Sequence, residues 1–312
     1  MKIVFNKEKY IQHLTNLFGL FLLFMMLLIF TGCQSTNSNL PSQNVISVSI
    51  IPQKYFVERL AGDHFSVNVL VQPGQSPENY EPSPAQMRAV TASSAYIQVG
   101  APFEAVWVEK IKASNPDLLI FDSSTGIERM PLEDHFHASE ETTTGSHSEK
   151  ELDPHIWTSP QLVKIQSQNI TDLLIQLDPA HEQDYRDNLT KFLADIDQLD
   201  QELKTEFKEL TNRKFMVYHP AWGYFARDYG LEQIAIEIGG TEPSAKEMSQ
   251  IINLATTDQI KVIFVQPEFS TRSAETIATE IDGKVIPISS LEYDWLENLR
   301  SIGRIIAETL VK

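Results

Sequence analysis

DPAHEQDYRDNLTKFLADIDQLDQELKTEFKEL, residues 178–210, decides the architecture of this chain. After the Asp178-Pro179 step the stretch contains no further proline and no glycine. Leu189, Phe192, Leu193, Ile196, Leu199, Leu203 and Phe207 recur at three and four. This spacing predicts one long amphipathic helix, from about Ala180 to Leu210, with a continuous buried stripe. Such a stripe could serve a coiled-coil partner or join two bodies of one chain. Strands resume at once with Lys214-Phe-Met-Val-Tyr218, which favours a joining helix.

Outward from that helix the pattern is strand and helix in alternation. On the N-terminal side, Val45–Ile51 reads as a buried strand ended by Pro52, and Tyr55–Gly62 as a helix with a glycine stop. Phe65–Val71, Ala95–Val99 and Leu118–Phe121 read as further strands, Pro84–Ala92 as a short helix, and the chain turns helical from Gln161. On the C-terminal side, Phe225–Tyr229 begins a second set. Its strands lie near Glu232–Ile236, Val262–Val265 and Lys284–Ile288, and its helices at Ser244–Leu254, Ala274–Ile281 and Leu296–Val311. The expectation is an α/β fold: two α/β lobes with mainly parallel sheets, residues 45–178 and 211–312, joined by one long backbone helix at 179–210. No repeat between the halves is visible in the residues.

Composition narrows the function. The chain has 312 residues, 42% hydrophobic and 21% charged, with a formal net charge of -17. That is a globular composition. The negative charge argues against nucleic acid or an anionic membrane surface as a direct partner and suits an encounter with cations. Cys33 is the only cysteine, which excludes an internal disulfide framework and a multi-cysteine zinc site. It ends a leader with Lys2, Lys7 and Lys9 followed by the apolar run Leu17–Phe30, the right length for a signal-peptide core and short for a membrane span. Thr31-Gly32-Cys33 resembles a bacterial lipobox, with Phe30 where an aliphatic residue is usual. Residues 1–33 are thus expected to direct the protein across the membrane and leave it anchored by lipid on Cys33, with 34–44 as a polar tether. An uncleaved anchor beside a chance cysteine is the other reading, and both put the globular part outside the cytoplasm.

Four of the eight histidines fall between His135 and Trp157. His135, His137 and His147 lie in an acidic, Ser/Thr-rich stretch, within a loop expected over 135–152, that has no apolar period and reads as a metal-collecting segment or as a plain solvated loop. Three further segments, 73–84, 153–157 and 218–231, fall near predicted strand ends, where α/β folds place ligands. They carry Glu78, His155 and His219. A divalent-cation site needs several imidazoles or carboxylates held fixed. Pro154 and Pro220 stiffen the two histidine loops, and Trp157 and Trp222 supply apolar walls. Two histidines and a carboxylate with an open position would also suit a zinc hydrolase, but the chain has no His-Glu-x-x-His helix.

Together these segments resemble the substrate-binding lipoproteins of zinc and manganese ABC importers and their adhesin-like relatives. The resemblance rests on Tyr80-Glu81-Pro82-Ser83-Pro84, Asp153-Pro-His155-Ile-Trp157, His219-Pro-Ala-Trp-Gly-Tyr-Phe225, Tyr229-Gly230-Leu231, Glu242-Pro243-Ser244 and Pro267-Glu-Phe-Ser270, and covers Val45–Val311. It implies a metal held in a cleft between two lobes, delivery to an ABC permease in the membrane, a monomer, and no enzymatic chemistry. It also implies His155 and His219 as ligands. The first family ligand, a histidine, is replaced by Glu78, and the aspartate of the last lobe by Ser289-Ser290-Leu291. Water, Asp294 or a histidine of the loop are the candidates for a fourth ligand. The residue set fits zinc first, with manganese or ferrous iron as other cargoes, and an adhesin with a degenerate metal site as the remaining alternative.

Overall fold

Two four-stranded parallel sheets carry the fold in the computed structural model, which describes residues 44–132 and 152–310. Cys33, the tether, and His135, His137 and His147 fall outside the described residues. The first sheet holds β1 (Val45–Val48), β2 (Ser66–Val69), β3 (Ala95–Gln98) and β4 (Leu119–Asp122) in the order β2-β1-β3-β4. Val45 lies opposite Ser66, Ile46 opposite Ala95, and Ala95 opposite Leu119. The crossovers carry α1 (Ile51–Ala61), α2 (Pro84–Thr91) and α3 (Glu104–Ser114). Two antiparallel-connected helices follow, α4 (Pro160–Leu177) and α5 (Glu182–Glu206). The second sheet holds β5 (Lys214–Val217), β6 (Glu232–Ala235), β7 (Val262–Val265) and β8 (Lys284–Pro287) in the order β6-β5-β7-β8. Its helices are α6 (Gly223–Tyr229), α7 (Ala245–Thr257), α8 (Arg272–Glu280) and the terminal α9 (Trp295–Leu310). The two sheets therefore share one strand order, a repeat that the residues themselves do not display.

The expected joining helix is α5. Tyr185, Leu189, Phe192, Ile196, Leu199 and Leu203 form its buried stripe, and its 25 residues span ~37 Å at the α-helical rise. It starts at Glu182 rather than Ala180 because Pro179–His181 form a separate 3-10 turn behind the α4 terminus. One end of the stripe packs on α1 of the first lobe and the other on α9 of the second. Close approach to α9 depends on Gly303, where an added Cβ would lie 2.2 Å from Leu203 Cδ2.

The apolar core does not stop at the boundary between the sheets. Ile46, Phe56 and Leu60 belong to the same buried cluster as Phe192, Leu199, Phe215, Trp222 and Phe264. A second cluster, with Met216, Ile251, Ile263 and Ile277, fills the outer side of the C-terminal sheet. Two indoles tie the middle: Trp157 donates to the Ser290 carbonyl at 2.9 Å, and Trp295 donates to the Trp157 carbonyl at 2.7 Å.

Two local readings are corrected. Pro52 does not end β1 as such; it sits in the first turn of α1, where its missing N–H costs nothing. Helix α3 escapes the sequence reading because its run Ala105-Val106-Trp107-Val108 is apolar all round, with Val106 57% exposed and Val108 buried, so no period stands out.

Gly303→Ala is expected to lower stability by about 1–3 kcal/mol through overpacking against Leu203. Leu203→Ala alone should cost about 2–5 kcal/mol. In guanidinium titrations the double variant should lose less than the sum of the two; strict additivity would show that the α5–α9 contact is looser than described.

Candidate metal centre

Each candidate ligand is placed by a strand-end loop whose local chemistry the sequence dictates. His219 follows β5, the strand from which the second sheet runs in both directions, and so stands at the topological switch point. Its backbone is clamped by Gln266: His219 N–H donates to Gln266 Oε1 at 3.2 Å, and Gln266 Nε2 donates back to the His219 carbonyl at 2.8 Å. Phe269 stacks on the imidazole at 4.5 Å between centroids.

His155 is held by an Asx turn. Asp153 Oδ1 accepts both the His155 backbone N–H at 2.9 Å and its ring Nδ1–H at 2.8 Å, a pattern that Asp-Pro-X favours because proline fixes the intervening φ. The segment is anchored from the second lobe by Tyr224, whose hydroxyl donates to the Asp153 carbonyl at 2.9 Å and accepts the Met130 N–H at 3.0 Å. An added Cβ at Gly223 would lie 2.8 Å from Asp153 Oδ2, so the carboxylate can sit there only against glycine.

Glu78 lies in the loop between β2 and α2. Its loop is pinned on both sides: Phe103 N–H donates to the Pro77 carbonyl at 3.3 Å, and Tyr80 packs edge-on against Phe103 at 5.8 Å. Ser83 and Gln86 form a capping box that starts α2, and Gln86 Nε2 also donates to the Tyr80 hydroxyl at 2.8 Å. The Tyr-Glu-Pro-Ser-Pro segment is therefore a built support for Glu78.

The three side chains converge on one point. Glu78 Oε1 lies 3.6 Å from His155 Nε2 and 3.4 Å from His219 Nε2, and the two Nε2 atoms are 3.2 Å apart. Donors at about 2.0–2.2 Å from a tetrahedral zinc stand about 3.3–3.5 Å from one another. The observed triangle, with sides of 3.2–3.6 Å, is close to that size. His155 and His219 are buried, with 3% and 7% exposure, while Glu78 is half-buried. Both Nδ1 atoms are committed outward from the point, His155 to Asp153 at 2.8 Å and His219 to Glu237 at 2.5 Å. That is the carboxylate–imidazole arrangement that orients metal-binding histidines and raises their basicity. Glu78 Oε1 is buried and has no hydrogen-bond partner among the described residues. A buried carboxylate oxygen left so is costly unless a cation meets it.

Electrostatics agree with the geometry. Burial alone would depress His219, but the Glu237 and Glu78 carboxylates outweigh it and lift its pKa to about 9. Burial would raise Glu78, yet the neighbouring imidazoles of His219 and His155 hold its carboxyl below the usual range. In the metal-free cleft at neutral pH a proton therefore occupies the position that a cation would take. Glu268, in the loop after β7, is raised by its burial and by Glu292, and senses the charge of His219.

Asp294 does not join the three. It is exposed and caps α9, accepting the Glu297 N–H at 3.3 Å. Ser289 and Ser290 are buried in hydrogen bonds, their carbonyls taken by Asn298 and Trp157. Glu237, Gln266, Phe269 and Gly223 escaped the sequence reading as supports. Of these, Gly223 and Phe269 stood inside quoted motifs, and Glu237 and Gln266 did not.

Comparison with known proteins follows the same line. A family model described as the periplasmic zinc-uptake complex component A matches residues 46–309. The chain is 27% identical over 285 residues to the high-affinity zinc uptake system protein ZnuA of Bacillus subtilis (strain 168), covering 88% of each. A crystal structure of a ZnuA aligns at TM-score 0.78 with 42% identity over 85% of this chain and 98% of the other. A mutant structure of the laminin-binding adhesin Lmb of Streptococcus agalactiae aligns at TM-score 0.74 with 25% identity over 85% and 98%.

Two outcomes test the supports. Asp153→Asn and Gly223→Ala, neither of which touches the three converging atoms, should each weaken zinc binding about 10–100-fold, as loss of an orienting partner does; unchanged affinity in a competition assay would remove them from the site. Because His219 titrates at about 9, zinc must displace its proton at any lower pH. Zinc affinity should fall about tenfold for each pH unit below 9, and calorimetry in buffers of different ionisation enthalpy should register close to one proton released per zinc at pH 7.

Proposed function

The chain belongs to the family of periplasmic zinc-uptake complex component A, and we propose that it captures one zinc ion between Glu78, His155 and His219 and delivers it to an ABC importer. The observation that carries this reading is the convergence of three ligand atoms within 3.6 Å of one another, one of them a buried carboxylate oxygen with no hydrogen-bond partner among the described residues. Three protein ligands leave a fourth position open. A carrier needs such a position, because cargo must leave as well as enter, and water fills it in this reading. The relatives are zinc-transport components, and in this reading the site binds and releases zinc without chemistry.

Zinc is favoured over manganese because two of the three donors are imidazole nitrogens. Glu78, in place of the family's histidine, makes the set harder and keeps manganese and ferrous iron as lesser cargoes. No helix among the described residues is long and apolar enough to cross a membrane. The protein works outside the cytoplasmic membrane as a monomer, held by lipid on Cys33; one acyl chain binds marginally, so stable anchoring takes two or more. The histidines at 135, 137 and 147 raise the local supply of metal.

Release follows local movement of the Glu78 loop rather than opening of the lobes. The apolar core that runs beneath the cleft from β1 to β5 supports this, as does α5, packed on both lobes. Apo and zinc-loaded structures should superpose closely over both sheets and differ mainly between residues 72 and 83; a large rotation of one sheet against the other would overturn it.

The function is tested by competition titration of metal-stripped protein with zinc and manganese, alongside His219→Ala. Structural zinc sites of four ligands bind with about 10–16 kcal/mol, so one lost ligand should cost about 3 kcal/mol, a factor of more than about 100. Tight one-to-one zinc binding that collapses in the variant is expected. Tighter manganese would reassign the cargo, and no saturable tight site would leave the adhesin-like alternative standing.

A further inference from the structure

A second group of metal-ligating side chains lies at the other end of the first lobe. His64 closes the 3-10 turn Gly62–His64 that leads into the N-terminal end of β2, whereas Glu78 follows the C-terminal end of the same strand. Asp178 ends α4, and His181 stands immediately before α5. Ligand atoms of His64, Asp178 and His181 all lie within 4.8 Å of one another. We propose that these three residues form a second divalent-cation site, specific for an imidazole-preferring ion such as zinc, that staples the start of α5 to the α1–β2 turn.

The geometry carries the assignment in three steps. First, the cluster repeats the device seen in the cleft. His181 Nδ1 is 2.6 Å from Asp178 Oδ2, as His155 Nδ1 is 2.8 Å from Asp153 Oδ1, so each ring has its Nδ1 fixed by a nearby aspartate and its Nε2 turned away from that aspartate. Second, the aspartate is itself positioned. Asp178 Oδ2 also accepts the Tyr185 hydroxyl at 2.8 Å. Third, a second carboxylate is at hand: Asp184 Oδ2 lies 3.2 Å from His64 Nε2. His64, His181 and Asp184 then offer two imidazoles and a carboxylate, with Asp178 orienting His181 from behind, a set that zinc, copper and nickel accept.

The rings of His64 and His181 are stacked at 3.9 Å between centroids with planes 28° apart. Stacked lone pairs run side by side, so coordination requires one ring to turn about its Cβ–Cγ bond. Both side chains have room, with 29% and 43% exposure. A single divalent ion offsets the charge of the Asp178 and Asp184 carboxylates. Because the site is partly exposed and must rearrange to close, it binds more weakly than the cleft, and its effect falls on the attachment of α5 rather than on cargo.

The test uses four full-length, metal-stripped proteins: wild type, His219→Ala, His64→Ala/His181→Ala, and the triple variant. Zinc bound at saturation is measured by equilibrium dialysis, and thermal midpoints are recorded with and without zinc. The double replacement should remove one zinc equivalent in both backgrounds. Zinc should raise the midpoint of His219→Ala, and that rise should vanish in the triple variant. Any zinc taken by the 135–152 segment is common to all four proteins and cancels. If the alanine pair itself lowers the metal-free midpoint, His64→Gln/His181→Gln, which preserves size and hydrogen bonding, replaces it. Equal zinc equivalents with and without the two histidines would overturn the proposal and leave a hydrogen-bonded stack. Loss of the cleft equivalent alone, in His219→Ala, reports on the proposed function and leaves this inference untouched.

Discussion

Three electron-rich atoms held within 3.6 Å of one another, in a place that water barely reaches, form an arrangement that opposes itself. A carboxylate oxygen and two imidazole nitrogens repel unless something positive lies between them, and burial strengthens the repulsion. The surrounding protein can be read as the set of contacts that prevents the three from separating. Asp153 and Glu237 fix the rings from behind, Gln266 clamps the backbone of His219, and Tyr80 with Phe103 backs the loop of Glu78. The cost of that assembly is met by a single positive charge, a proton when metal is absent and a divalent cation when it is present.

Holding such a point requires walls that do not drift. The sheets contribute through their interior: the same buried cluster runs from Ile46 and Phe56 through the α5 stripe to Phe215 and Phe264. Close-packed interiors transmit displacement and resist it, and they shift between discrete arrangements rather than by gradual deformation. A cleft resting on one continuous core can therefore change at its loops while its floor stays in place.

Much of this was legible in the residues. The period of three and four in α5, the alternation of strands with helices, and the proline-flanked Asp153-Pro-His155 and His219-Pro220 segments are short-range signals, and short-range signals survive in a sequence. Glu78 was legible only against a family pattern, because one glutamate in a polar loop has no signature of its own. Helix α3 was hidden by an apolar run without a period. The shared strand order of the two sheets was hidden because topology is set by which strands pair, and very different side chains fill the same places. Glu237 and Gln266 were invisible for a related reason: each acts on His219 across a distance of 18 and 47 residues in the chain, and nothing local marks a polar residue as the partner of a distant ring. Asp294 was drawn toward the site by proximity in sequence, but the first turn of α9 claims its carboxylate as a cap.

The indoles of the core have an optical consequence. Of four tryptophans in the chain, Trp157, Trp222 and Trp295 are fully buried, and the Trp157 ring lies 5.2 Å from that of His155. The emission of a buried indole follows the electric field across its ring. Exchange of a monovalent proton for a divalent ion changes that field at short range without moving the indole. The cleft thus carries its own fluorophore, fixed at both ends by hydrogen bonds to Ser290 and from Trp295, and its occupancy can be read as colour without any attached dye.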